Sequence, residues 1–204
     1  MLSTSRAEPT LPNNCLVSEQ IFVSAVAGLK AEHDALAAHL AATEPSLSVG
    51  MRSSYAKSLV IAGASELEYE LTKMIREFVL EATSSNDRVV SFVELKVLKR
   101  QYHTLFAWES RNANVFFSLF GADFRDYADS QVKADSWLRE GVESFLEIGA
   151  LRNALVHVNF AAFSLPKTVE EVFALYETAE RFREAVPELL RMTYISRTIV
   201  NGTP

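Results

Sequence analysis

The chain has 204 residues, 49% of them hydrophobic, with a single cysteine and a formal net charge of −6. That suits one domain, or one domain plus an appendage, and it excludes an internal disulfide framework and a cysteine-based zinc site. It also excludes a protein that holds nucleic acid by a global positive field, so any RNA or DNA contact must be a local patch.

Glycine and proline are scarce, at 7 and 6, which favours helix over sheet. Residues 1–17 are polar, contain Pro9 and Pro12, and read as a disordered N-terminus. The opening MLSTSRAEPTLPNN has no apolar h-region, which predicts no signal peptide and a cytoplasmic location by default. Ser18 reads as an N-cap. Ile21, Phe22, Ala25, Leu29, Leu36 and Leu40 then recur at helical spacing to about Thr43, giving an appended helical element over 18–45. Pro45 and Gly50 read as bracketing a loop.

The main domain is expected over 51–200. A long helix is predicted for 51–82, with Leu59, Val60, Ala64, Leu67, Leu71, Ile75 and Phe78 on its core face. The longest apolar run within it, Leu59 to Ala64, is too short to span a bilayer. SSND at 84–87 reads as a turn. A third helix is predicted over 89–109 and a short one over 112–119, stopped by Gly121; DFRDYADSQ reads as irregular. A second long helix is predicted over 132–158. Beyond Pro166, Thr168 and Glu171 have capping-box spacing, opening a helix to about Val186, with a further helical piece after Pro187. The fold class is therefore all-α, a bundle centred on two long antiparallel helices, 51–82 and 132–158.

The end of the second long helix, LRNALVHVNF at 151–160, carries the chemistry. Leu138, Val142, Phe145, Gly149, Arg152 and Val156 fall on one narrow stripe at 100° per residue, so Arg152 points where core residues point. His157 lies about 100° round from the stripe centre, with Asn153 one turn before it. A histidine transfers protons near neutral pH, and an arginine can grip a phosphate at two points and stabilise charge developing on it. Together they suit cleavage of RNA by its own 2′-hydroxyl without a metal. The plain reading is a cation favoured at a helix C-terminus and a snorkelling arginine.

The string R-N-A-L-V-H at the end of a long helix in an all-α chain resembles the HEPN superfamily, whose domains carry R-x4-6-H, often with Asn after the Arg, near the end of the penultimate core helix. GASELEYELTKMIREFV at 63–79 looks like the first core helix, which often carries a glutamate facing the motif: Glu68 here, with Glu66 as runner-up. NVFFSLFGADF at 114–124 and the run HVNF…SLPKTVEEV at 157–172 are similar to stretches of the family. The branch that fits best is the RiboL-PSP-like group, and the resemblance covers about residues 51–190. It implies a two-fold homodimer and a composite, cofactor-free, metal-independent endoribonuclease site. In that site His157 is the general acid/base, Arg152 binds the scissile phosphate, and Asn153 and Glu68 position them. It also implies a toxin or antiviral defence effector held in check by an antitoxin or other regulatory protein. Some family members act instead as non-catalytic RNA- or protein-binding modules, and a plain helical interaction subunit is the third reading.

Other features carry less. Lys96, Lys99 and Arg100 share a predicted helix face beside Tyr102 and His103, an RNA-backbone patch or a solvated basic face. His33 and His39 read as surface residues with no third metal ligand nearby. The phenylalanines at 116–124 read as core.

Overall fold

The structure is a computed structural model; it describes residues 24–99 and 101–201, the residues 192–201 by backbone alone. Among the described residues the regular structure is entirely helical: α1 (Ala25–Thr43), α2 (Pro45–Ala82), α3 (Asp87–Val93), a π turn (Glu94–Leu98), a 3-10 turn (Tyr102–Thr104), α4 (Asn114–Ser118), α5 (Ala122–Ala134), α6 (Ser136–His157) and α7 (Val169–Asn201). The predicted N-cap Ser18 and the disordered 1–17 lie outside the described residues. The described helix starts from Ser24, whose hydroxyl accepts from the Ala27 N–H at 3.1 Å.

The all-α expectation holds, and both predicted long helices are present. Four boundaries differ, each for a physical reason. No loop spans 45–50: Pro45 opens α2 and Gly50 lies inside it. Proline is at home in a first helical turn, where its missing N–H costs nothing, and a single internal glycine costs only about 1 kcal/mol. The predicted helix 89–109 ends early, because α3 passes into the π turn and Lys99 is extended (ψ 123°). That break lets Leu98, Leu105 and Phe106 all reach the core. The stretch read as irregular is α5, with Phe124, Ala128 and Val132 buried at every fourth position. Its dense polar residues hide an amphipathic period. Asp135 separates α5 from α6 and caps α6, its carboxylate accepting from Trp137 N–H at 2.8 Å.

Three long helices, not two, form the centre. α7 lies along α6 and α2, and α1 lies on α2. The capping box opening α7 is formed: Glu171 N–H donates to Thr168 Oγ1 at 3.2 Å and Thr168 N–H to Glu171 Oε2 at 2.8 Å. Pro187 sits inside α7 without ending it. Val142, Phe145, Leu146, Ile148 and Leu155 of α6 are buried with Leu59, Leu67 and Leu71 of α2 and Val172, Ala179 and Phe182 of α7. At Gly141 an added Cβ would lie 2.8 Å from the Phe182 backbone nitrogen, so α6 and α7 cross too closely for any side chain there.

The phenylalanines at 116–124 are core, as their sequence suggests. Phe106 stacks on Phe116 at 4.8 Å between centroids and meets Phe145 at 5.0 Å, and Phe145 meets Phe182 edge-on at 5.1 Å. Trp108 joins this cluster 4.9 Å from Phe106. It occupies the space that a side chain at position 149 would need, since a Cβ on Gly149 would fall 2.0 Å from Trp108 Cε3.

Candidate active site

One small cavity gathers most of the predicted residues. Ala64, Leu67 and Glu68 of α2 form one wall, Phe145, Ile148, Gly149, Arg152 and Asn153 of α6 another, and Tyr102, His103 and Trp108 close the top. The free space is about 10 Å³, roughly room for one water-sized group. Gly149 sits one turn before Arg152, and its missing side chain is what admits Trp108 beside the arginine.

Arg152 and Asn153 are both half-buried. Arg152 Nη1 donates to Asn153 Oδ1 at 3.2 Å, which uses one of five guanidinium N–H donors. Glu68 faces it from α2. Burial pushes the Glu68 carboxyl above its ordinary titration range; the positive charges of Arg152 and His103 work in the opposite direction. Burial pushes the Tyr102 hydroxyl up strongly, the Glu68 charge adds to this, and Arg152 opposes it. Tyr102 is therefore a neutral phenol at any working pH.

Glu66, the runner-up, looks elsewhere: its carboxylate acts on the Tyr176 hydroxyl of α7 by charge and by hydrogen bond. The stripe inferred for α6 also needs correcting at its end. Val156 is 49% exposed, and Leu155 takes the core position. His157 is exposed at the last position of α6 and is not part of the cavity wall. It stands among exposed apolar side chains, Val156, Val158 and Phe160. The segment just beyond it is tied down from α2, where buried Lys57 donates to the Phe160 carbonyl at 2.9 Å and lies over the Phe160 ring.

Residues 29–191 match the model of the RiboL-PSP-HEPN family. The chain belongs to that family. Searches of curated proteins and of solved structures give no match. The match begins within α1 and ends within α7, so the HEPN residues include the cavity, His157 and most of α1.

The remaining sequence candidates are not brought to the HEPN motif as a group. Lys99 lines a separate groove of about 390 Å³ along α2, with Tyr69, Thr72, Lys73, Arg76, Glu94 and Leu98. This groove meets the cavity at Glu68, which lines both. Lys99 lies 3.8 Å from Glu94, and Lys96 is exposed on the π turn. Because the α-helix stops before them, the regular i, i+3, i+4 face predicted for these lysines is not formed; Arg100 lies outside the described residues.

His33 is not a surface residue. It is 1% exposed, its ring 5.4 Å from Tyr55, while His39 is exposed as expected. Its Nδ1 lies 3.0 Å from Asp34 Oδ1, and Glu170 of α7 completes a His–Asp–Glu group. Lys30 already contacts both Asp34 oxygens, at 2.7 and 2.6 Å, and supplies that corner with a cation. Glu170 comes from a helix 137 positions away, a proximity that no local spacing announces. Among the described residues no helix is long and apolar enough to cross a membrane.

In the sequence Tyr102 and His103 stand out only as neighbours of a basic stretch. Their place over the cavity depends on the break after Leu98, which helical periodicity did not reveal. Trp108 opposite a glycine was the available signal, a large aromatic and an unfilled position, but nothing local pairs them.

Proposed function

We propose that this HEPN protein is a metal-independent endoribonuclease whose composite site forms in a homodimer. Arg152 holds the scissile phosphate and stabilises the charge that develops on it, aided by Asn153 and steered by Glu68. His157 of the facing chain transfers the proton. The 2′-oxygen bonds to phosphorus as its hydroxyl proton leaves to a base, and the P–O5′ bond breaks as an acid protonates the 5′-oxygen. The products are a 2′,3′-cyclic phosphate and a 5′-hydroxyl. The groove bearing Lys73, Arg76 and Lys99 continues the site along α2 and offers cations to the RNA backbone. The biological setting we propose is a toxin or antiviral defence effector in the cytoplasm, restrained by an antitoxin or regulatory partner.

The carrying observation is the split environment of the motif. Arg152 is half-buried beside Glu68 and Asn153, while His157, five residues on, is exposed at the helix end among apolar side chains. A histidine so presented suits a second chain. Digestion of RNA in EDTA, with mapped ends, tests the reading beside Arg152→Ala and His157→Ala. Cyclic-phosphate ends that survive EDTA and vanish in both variants support it. Cleavage that depends on added metal, or persists in both variants, overturns it. One observation favours the non-catalytic module instead: a cavity of about 10 Å³ admits no base or sugar. On that reading the folded dimer binds RNA without cutting it.

A further inference from the structure

We propose that His103 is a second proton-transfer residue of this site, acting beside Arg152 of its own chain; the proposal rests on the ribonuclease reading above. His103 lies outside the R-N-x-x-x-H motif, on the 3-10 turn 102–104, 49 positions before Arg152. The fold nevertheless puts it on the cavity that holds Glu68, Arg152 and Asn153. His157, though on the same helix as Arg152, does not line that cavity. Within one chain, His103 is thus the imidazole that shares a wall with the phosphate-gripping arginine.

The position is built. Trp108 Nε1 donates to the His103 carbonyl at 2.9 Å. The indole is in turn wedged against Gly149 and packed between Tyr102, at 5.5 Å, and Phe106, at 4.9 Å. A rigid path therefore runs from the α6 glycine one turn before Arg152 to the backbone of His103. The side chain itself is exposed and open to a strand lying across the mouth. The charged and titratable groups facing it are Glu68 of α2 and Arg152 of α6, with Tyr102 beside it on its own turn. Of these, the tyrosine is held neutral and the arginine stays charged, so neither exchanges a proton near neutral pH, which leaves Glu68, whose carboxyl burial pushes up, as the other titratable group beside His103. Histidine changes charge in that range.

Cleavage needs one group to take the 2′-hydroxyl proton as the O2′–P bond forms. It needs another to give a proton to O5′ as the P–O5′ bond breaks. His103 does one and His157 the other, and no outside reactant is required. The test is steady-state cleavage of an RNA oligonucleotide in EDTA across pH by wild type, His103→Ala and His103→Gln. Circular dichroism serves as the fold control. The proposal expects kcat to fall about 10²–10⁴-fold in both variants, KM to stay within a few-fold, and one limb of the pH–rate profile to disappear. A wild type that cleaves while both variants keep kcat within twofold overturns the role of His103 and leaves the ribonuclease reading standing. Equal loss through KM alone, with both limbs retained, also overturns it, because it makes His103 a binding contact. A wild type that does not cleave overturns the ribonuclease reading, and this proposal with it.

Discussion

The two halves of the R-N-x-x-x-H motif live in different surroundings. Arg152 is enclosed by its own chain, with Glu68 from α2, Asn153 beside it, and Tyr102 and Trp108 above. His157 is exposed at the end of the same helix, flanked by exposed Val156 and Val158 and by a backbone that Lys57 holds in place. One half is finished by folding and the other is presented outward. A motif written as one string can therefore describe one group enclosed by its own chain and one left exposed.

The sharpest break of that contrast is chemical. Arg152→Ala should lower kcat about 10²–10³-fold, and His157→Ala about 10²–10⁴-fold, each leaving the circular dichroism spectrum unchanged. If the two halves act across a dimer, co-refolding the two inactive variants should restore cleavage; recovery of none would mean that each chain uses its own pair. Gly149→Ala comes next. Its Cβ would meet the Trp108 ring at 2.0 Å, and the rigid indole must move, so stability should fall by about 1–3 kcal/mol in a denaturant melt. Activity should fall with it, since the displaced Trp108 also releases the His103 carbonyl.

Lys57→Met tests the exposed half. It keeps the buried stem and removes the hydrogen bond to Phe160, at a cost of about 1 kcal/mol in thermal unfolding. Cleavage should drop several-fold with RNA binding little changed. The smallest effect belongs to Glu68→Gln. The folded carboxyl titrates above its ordinary range, so charging it costs folding energy as pH rises through that titration. Wild type should therefore gain a little stability on acidification toward that range, and the glutamine variant should lose this component in melts recorded across pH.

Helical periodicity was enough to read the all-α class, the α2 core face, the α6 core face up to its last turn and the Thr168–Glu171 cap, because these depend on local spacing. Arg152 and Asn153 were named from the R-N-x-x-x-H string and Glu68 from the family resemblance. The arginine's stripe and the glutamate's helix are both regular. What periodicity could not show was set by distant partners. His33 is buried against Tyr55 of the next helix, and α5 buries every fourth residue of a polar stretch against α4, α6 and α7. The break after Leu98 that delivers Tyr102 and His103 is a tertiary compromise, since Leu105 and Phe106 need the core more than the segment needs a continuous helix.

The bond from Lys57 to the Phe160 carbonyl joins positions 103 residues apart. The cavity itself draws on three separate stretches, 64–68, 102–108 and 145–153. Contacts of such sequence separation close late, after the loop entropy between them has been spent. During synthesis, a chain shorter than 160 residues lacks part of this arrangement, however well its early helices form. On the ribonuclease reading proposed above, this timing makes the finished fold a condition of cleavage.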